Sequence, residues 1–254
     1  MTPTLRKAAV FAHYEGVVRA PGRDAGDIVL IFLRDGWFWM IPLPDGRTSV
    51  GLVTDGTVVK SSGLSPEELL ETSLERCPAA RDRLRDATRV SEVLAESDYS
   101  YACHEMAGDG YLLVGDAAAF IDPVFSTGVW LGMSSAEVAA DMLVDALQRD
   151  DGSGRGFAPE VFAGYERRVR RHVRTYSQLV THFYSPGFMD LFLQPSARFR
   201  IKEAVISLMA GMFDPPLAIR MRLGCFYLAV RLQRSFNIFP GVPLMRVLER
   251  EHAP

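Results

Sequence analysis

The chain has 254 residues, 48% of them hydrophobic and 23% charged, which excludes a disordered chain and allows one large or two modest domains. Lysine and arginine number 28 against 31 aspartate and glutamate, a formal net charge of −3, so no basic excess indicates a nucleic-acid-binding protein. The three scattered cysteines indicate neither a disulfide framework nor a zinc site, and they favour the cytoplasm. The most apolar stretch contains Arg220 and Arg222, so no membrane span is expected.

The first third of the chain predicts an antiparallel sheet. Runs rich in β-branched and aromatic residues predict strands at residues 8–19, 27–34, 37–43 and 48–54. Asp35-Gly36 and Pro44-Asp45-Gly46 are turn sequences that join consecutive strands as a meander. Ser65 and Pro66 predict the start of a helix that ends near residue 77. A second helix over 79–88 and a short strand near 91–97 complete this region.

The middle of the chain predicts a strand, a loop and a helix. Tyr111–Val114 is an apolar run typical of a buried strand, and Gly115–Ser126 forms the loop. From Thr127 onward apolar residues recur at helical spacing and predict a helix with one apolar stripe. The stripe consists of Val129, Met133, Ala136, Ala140, Leu143 and Leu147.

A glycine-rich linker at 150–156 precedes helical patterns at 159–184, 197–212 and 216–235. We therefore divide the chain into a sheet region (1–97), a strand–loop–helix unit (98–150) and a C-terminal helical region (151–254). The fold class is α+β.

The loop that follows the Gly-Asp pair has the chemistry of a ligand site. The first amides of a helix have no partners within it and carry partial positive charge, so they favour an anion or an electron-rich carbonyl. Gly128 would let a ligand approach the backbone, and Asp116 could accept hydrogen bonds from ligand hydroxyls. The alternative is a plain turn in which Ser126 caps the helix and Asp116 caps the turn.

The stretch GDGYLLVGDAAAFIDPVFSTG resembles the second FAD-contacting motif of flavin-dependent halogenases and related flavin monooxygenases. The resemblance implies that this chain is part of an α/β FAD-binding fold, and that Asp116 bonds the ribityl chain of FAD. It also implies that Asp122, Pro123 and the start of the following helix lie along the isoalloxazine. The implied cofactor-binding residues are Gly115, Asp116, Asp122, Pro123, Ser126, Thr127 and Gly128. The amides of Thr127 and Gly128 are the implied halide site.

The segment GWFWMIP matches a second feature of the same family, the W-x-W-x-I-P sequence. Its residues here are Trp37, Trp39, Ile41 and Pro42. The resemblance implies that Trp37 and Trp39 line the active-site tunnel between flavin and substrate, with no acid–base role. The alternative is ordinary sheet packing, because alternation places both indoles on one face of a strand.

The resemblance extends through SDYSY and the C-terminal helices, and it implies an FAD-dependent oxidoreductase of specialised metabolism. In this family FADH2 from a separate flavin reductase, O2 and halide generate a hypohalous species that attacks an electron-rich aromatic carbon. Tryptophan-type members usually carry glutamate where this chain has Phe125. The FSTG form is closer to members that act on phenolic, pyrrole or carrier-tethered substrates.

Two family features are missing from these 254 residues. No GxGxxG follows a strand, and none of Lys7, Lys60 and Lys202 stands in the family's lysine motif. The chain therefore resembles the C-terminal portion of a halogenase, with an N-terminal half that another chain could supply. Two alternatives remain: a flavin monooxygenase or reductase on the same fold, and a non-catalytic remnant or binding module.

The run YERRVRRHVR on the third helical segment has two interpretations. Its arginines form either a solvated face or a dock for an acidic carrier protein that presents the substrate. The five histidines show no paired spacing with acidic residues or cysteines, so we expect them to be ordinary surface or core residues.

Overall fold

The computed structural model describes residues 5–33, 35–149, 159–185, 187–192, 200–236 and 238. They form two compact units, residues 6–99 in one, and Leu5 with residues from Ser100 onward in the other. No helix in these ranges is long and apolar enough to cross a membrane. The predicted linker at 150–156 lies outside the described residues.

The first unit is a six-stranded antiparallel sheet that carries three helices on one face. Its elements are β1 (Lys7–Glu15), β2 (Val29–Phe32), β3 (Gly36–Pro42), β4 (Thr48–Asp55), α1 (Gly56–Ser62), α2 (Pro66–Glu75), α3 (Pro78–Leu84), β5 (Thr88–Arg89) and β6 (Leu94–Ser97). The strand order is β2-β3-β4-β1-β5, and β6 also pairs with β1. The predicted meander is therefore confirmed for β2, β3 and β4, whereas β1 lies beside β4 and not beside β2.

Alternation along β3 explains how the sheet buries one of its faces. Phe38 and Met40 point into a core that includes Leu70 and Leu74 of α2, because successive side chains of a strand face opposite sides. A capping box fixes the start of α2: the Ser65 hydroxyl accepts from the Glu68 amide, and the Glu68 carboxylate accepts from the Ser65 amide. The other face of β3 therefore carries the two tryptophans.

The second unit is mostly helical. Its described residues form four two-residue strands, β7 (Tyr101–Ala102), β8 (Ala107–Gly108), β9 (Tyr111–Leu112) and β10 (Ala119–Phe120). They also form five helices, α4 (Gly128–Arg149), α5 (Ala163–Phe183), α6 (Phe188–Phe192), α7 (Ile201–Met209) and α8 (Leu217–Phe236). β7 pairs with β10, and β8 pairs with β9. The predicted helical segments thus correspond to α5, α7 and α8, and α6 is an addition.

The middle of the chain differs from one sequence-based prediction and shows one further unexpected feature. The strand predicted over Tyr111–Val114 is only two residues long, and Tyr111 is 44% exposed, because it forms one arm of a small hairpin instead of a sheet interior. The apolar stripe of α4 is also exposed: Val129 is 76% and Met133 70% accessible. The buried residues of α4 are instead Ser135, Val138, Ala139 and Ala146.

Candidate cofactor site

The Gly-Asp turn lies directly against the start of α4. Gly115 has φ +59°, and a Cβ atom at this position would lie 3.2 Å from Cα of Gly132, so a side chain there would crowd the helix. The Gly115 amide donates to the Ser135 hydroxyl over 2.9 Å. Both contacts fix the short 3-10 turn Gly115–Ala117 on the first two turns of α4.

This turn brings two of the predicted site residues together. The Asp116 carboxylate is exposed, and one of its oxygens lies 4.0 Å from the position of a Cβ atom at Gly128. No other heavy atom outside the immediate chain neighbours and the helix backbone lies within 4 Å of that position. The Asp116 carboxylate and the backbone of Gly128 therefore lie side by side at one corner of the surface.

The amides at this corner have the properties expected of a helix N-terminus. The Thr127 carbonyl accepts from the Leu131 amide over 2.9 Å, so α4 begins immediately after Thr127. The amides of Gly128, Val129 and Trp130 have no acceptor within the helix and carry the positive end of the helix dipole. Next to the open Gly128 they can stabilise an anion or an electron-rich carbonyl.

Asp122 faces the protein interior. It is 4% exposed, and its carboxylate accepts from the Val124 amide over 2.9 Å and from the Tyr184 hydroxyl over 3.1 and 3.2 Å. These bonds fix the 3-10 turn Pro123–Phe125. In this structure Asp122 shapes the loop from inside, while Asp116 reaches the surface.

Ser126 and Thr127 also differ in orientation. Ser126 is exposed and has φ +54°, an uncommon left-handed conformation for a residue with a side chain. Thr127 is 5% exposed and lies near the buried Tyr176 hydroxyl, which has no hydrogen-bond partner among the described residues. Burial raises the pKa of the Tyr176 phenol, so this hydroxyl stays protonated. Thr127 is therefore largely covered, whereas the adjacent Gly128 is partly exposed.

Phe125 belongs to an aromatic cluster. Its ring makes edge-on contacts with Phe183, at 5.1 Å between centroids, and with Tyr176, at 6.1 Å. An aromatic ring held in this way is a packing element with no capacity for proton transfer.

The tryptophan strand lies in the other unit. Trp37 is 2% exposed, and its ring centroid lies 5.9 Å from that of the half-buried Trp39. The Trp39 indole N–H donates to the Ser49 hydroxyl over 3.1 Å. The Trp39 ring also covers Gly51 of β4, where a Cβ atom would lie 2.2 Å from the ring. The alternation predicted from the sequence is present, and both indoles share one face of β3.

Sequence reasoning did not identify three residues that support the corner: Ser135, Tyr176 and Tyr184. Tyr184 bonds to Asp122 across 62 residues, and Tyr176 lies on α5, so no local pattern could have connected them. Ser135 gave no signal either, because it is next to Ser134 on a helix that also carries several charged residues.

The model of the tryptophan halogenase family matches residues 31–188, which include both the W-x-W-x-I-P strand and the Gly-Asp turn. The chain belongs to the tryptophan halogenase family. This confirms the predicted resemblance to flavin-dependent halogenases and the α+β fold class.

Individual halogenases agree with this assignment. The 1H-pyrrole-2-carbonyl-[peptidyl-carrier protein] chlorinase of Pseudomonas fluorescens is 28% identical over 215 residues, which are 82% of this chain and 46% of the relative. Tryptophan 2-halogenase of Chondromyces crocatus is 34% identical over 70% of this chain and 34% of the relative. The structure of the myxobacterial chondrochloren halogenase CndH, described as a variant of FAD-dependent halogenases, superposes with a TM-score of 0.64 at 29% identity. That match covers 91% of this chain and 56% of CndH.

This member of the halogenase family therefore spans 46%, 34% and 56% of the length of these three relatives. Both candidate motifs lie inside the matched part.

Proposed function

We propose that this chain is the flavin-contacting and substrate-side part of a flavin-dependent halogenase. The whole enzyme would use FADH2, O2 and halide to halogenate an electron-rich aromatic substrate. The observation that carries the proposal is the exposed Asp116 carboxylate beside the open backbone of Gly128, inside the segment that matches the family. The bound flavin would supply the oxidising chemistry, and the residues of this chain would bind and orient the flavin, the halide and the substrate.

The corner around Asp116 fits part of such a flavin. A carboxylate that reaches the surface can accept from ribityl hydroxyls, and unpaired amides at a helix start can stabilise negative charge on the ring system. Gly115 and Gly128 allow the close backbone approach, and Pro123 and Ser126 complete the loop that would border the cofactor. Asp122 would contribute by holding this loop, since its carboxylate is already bonded to Val124 and Tyr184.

The halide would lie at the same helix start. The amides of Thr127 and Gly128 are the donors that the family pattern implies, and backbone N–H groups at a helix terminus suit a small anion. Thr127 is 5% exposed as a whole residue, so the ion would contact mainly the main chain at the partly exposed Gly128. Trp37 and Trp39 would line the route to the substrate as packed indoles, without acid–base chemistry.

The substrate we favour is a phenol, a pyrrole or an aromatic acid tethered to a carrier protein. Phe125 cannot act as the carboxylate found at this position in tryptophan-type members. Relatives named as pyrrole-carbonyl carrier-protein chlorinase and brominase support the same class. A cytoplasmic location stays a prediction; the three cysteines are free, which agrees with it.

Two protein partners follow from the proposal. A flavin reductase would supply FADH2, and a polypeptide with the GxGxxG unit, encoded in the same or another chain, would hold the FAD pyrophosphate. The exposed stripe of α4 supports the second partner, because contiguous apolar surface of this kind commonly marks an interface. Its most exposed members are Val129, Met133 and Leu147, at 76%, 70% and 62%.

Flavin binding tests the cofactor role without requiring turnover. The chain should quench the fluorescence of FAD on titration, and Asp116→Ala should raise the dissociation constant about tenfold, as expected for a lost charge-assisted hydrogen bond. Asp109→Ala is the matched control, because Asp109 is also an exposed aspartate, on the preceding hairpin turn. Equal effects of the two substitutions on the dissociation constant would mean that Asp116 does not contact FAD.

Product masses test the reaction. The chain, together with the product of any adjacent reading frame that carries GxGxxG, should be incubated with FAD, a flavin reductase, NADH, bromide, O2 and a phenol. The paired isotope peaks of bromine in the product would support the proposal. A hydroxylated product without bromine would identify a monooxygenase, and failure to bind FAD in either setting would indicate a non-catalytic binding module.

A further inference from the structure

A groove of about 700 Å³ lies between α5 and α8 in the second unit, and the segment before α8 also lines it. This volume lies within the range of about 300–1,000 Å³ that is typical of small-molecule sites. None of the residues assigned above to flavin or halide lines it.

The groove has more positive than negative charge. Arg171, Arg174 and Arg220 line it, with Asp214 as the acidic residue among the lining residues. Asp214 is already engaged: it lies 3.3 Å from the Arg171 guanidinium and 3.2 Å from Nε2 of the buried His172. Arg174 and Arg220 have no acidic partner among the described residues. Two unpaired guanidinium groups from different helices therefore remain available to an anion.

The rest of the wall is apolar and firmly packed. Phe213, Leu223 and Tyr227 are 2%, 5% and 7% exposed. Tyr227 is fixed by stacking on His182, at 4.2 Å between ring centroids and 26° between planes. Its hydroxyl has no hydrogen-bond partner within the described part of the chain. Because hydroxyls in buried residues are nearly always bonded, this one is available to water or to a ligand.

Gly224 keeps the groove open. It lies in the interior of α8, where glycine costs about 1 kcal/mol relative to alanine. A Cβ atom at this position would meet no heavy atom within 4 Å, so no neighbour requires the missing side chain. Gly224 nevertheless lines the groove, and any larger residue would project into that space.

We propose that this groove binds an amphipathic organic anion, a phosphate monoester or carboxylate on a flat apolar body. Arg174 and Arg220 hold the anionic group, and the side chains of Phe213, Leu223 and Tyr227 contact the apolar body. The proposal is independent of halogenation, because it involves none of the residues of the flavin corner.

Titration calorimetry on the full chain tests this proposal, with phenyl phosphate as the probe. Phenyl phosphate should bind saturably and at least about tenfold more tightly than either phenol, which lacks the charge, or inorganic phosphate, which lacks the apolar body. Benzoate distinguishes the two anionic groups: tighter binding of benzoate identifies a carboxylate ligand, and tighter binding of phenyl phosphate identifies a phosphate ester. If phenol binds as well as both anions, the proposal is wrong.

Two variants test whether phenyl phosphate binds in this groove. Gly224→Leu should abolish it while leaving the melting temperature unchanged or higher, since leucine is the better helix former. The double substitution Arg174→Gln with Arg220→Gln should weaken binding at least tenfold. Arg167→Gln, an exposed arginine of α5 outside the groove, is the matched control and should have no effect. Unchanged binding by Gly224→Leu would overturn the proposal; if that variant does not fold, the arginine pair decides.

Discussion

The benzo ring of Trp39 occupies the space that a side chain at Gly51 would need. A Cβ atom at Gly51 would lie 2.2 Å from Cζ2 of Trp39, and the two residues are directly opposite in the β3–β4 register. The indole is further fixed by its bond to Ser49 and by contact with the Phe11 ring at 5.7 Å.

We expect Gly51→Ala to lower the free energy of unfolding by about 1–3 kcal/mol, because the added methyl group overpacks against the ring. Urea denaturation measures the change. Placing the substitution in a Trp39→Leu background should remove most of the penalty, since the two residues are in contact and their effects are coupled. An equal loss in both backgrounds would show that the ring is not the obstacle.

Gly128→Ala separates flavin approach from folding. The position has room for a methyl group in the protein alone, because the nearest atom is the Asp116 carboxylate oxygen at 4.0 Å. Its free energy of unfolding should therefore change by less than about 0.5 kcal/mol, whereas FAD affinity should fall at least about tenfold if the cofactor approaches the backbone here. Gly224→Ala, on α8 with equal room, is the control. Undiminished FAD affinity in Gly128→Ala would place the flavin elsewhere.

Two residues on opposite sides of α4 should respond differently to truncation. Val138 is 8% exposed and Met133 is 70% exposed. Val138→Ala should cost on the order of 2 kcal/mol in the free energy of unfolding, from lost burial and a residual cavity. Met133→Ala should change it by less than about 0.5 kcal/mol. Chemical denaturation of the chain alone measures both, and a comparable loss from Met133→Ala would mean that the outer stripe is already covered.

Stability should fall as the pH drops below about 6.5. Burial lowers the pKa of His182, and the charge of Arg231 lowers it further, against the effect of the hydrogen bond to the Gln178 carbonyl. The unfolded chain therefore takes up a proton near the ordinary histidine pKa while the folded chain still excludes it. Because the unfolded state then binds more protons, the free energy of unfolding decreases from that pH down to the folded pKa.

The His182→Gln variant should show a shallower decline of unfolding free energy between about pH 7.5 and pH 5.5. The slope of the decline is the diagnostic quantity, because the substitution also removes the stacking on Tyr227. His104→Gln, at an exposed histidine, should retain the wild-type slope. Identical slopes for both variants would exclude His182 as the titrating group.

Local signals predicted the sheet unit well. Alternation in GWFWMIP predicts that Trp37 and Trp39 share one face of the strand, and Ser65 with Pro66 predicts the start of α2; both features are present in the structure. These features depend on residues close together in sequence, which is why they can be read without a structure. The position of β1 beside β4 could not be predicted from the sequence, because no local sequence pattern indicates which distant strands pair.

The stripe of α4 and the Asp-Pro turn show where sequence reasoning reached its limit. Periodicity indicates that one side of a helix is apolar, but it does not show whether that side packs against the rest of the chain. Likewise, the motif predicts the same role, contact with FAD, for Asp116 and Asp122. In the structure, Asp122 is buried and bonded to Tyr184, whereas Asp116 is exposed to solvent. The roles of both aspartates toward FAD stay predictions.

The hydrogen bond from the Gly115 amide to the Ser135 hydroxyl couples the position of Asp116 to that of α4. Because the turn bearing Asp116 is fastened to the second helical turn of α4, any tilt or shift of that helix must carry the carboxylate with it. If FAD and a second polypeptide bind as proposed, a partner that contacts Val129 and Met133 and shifts α4 would also change the distance between the Asp116 carboxylate and the ribityl chain. Assembly and FAD affinity should then vary together.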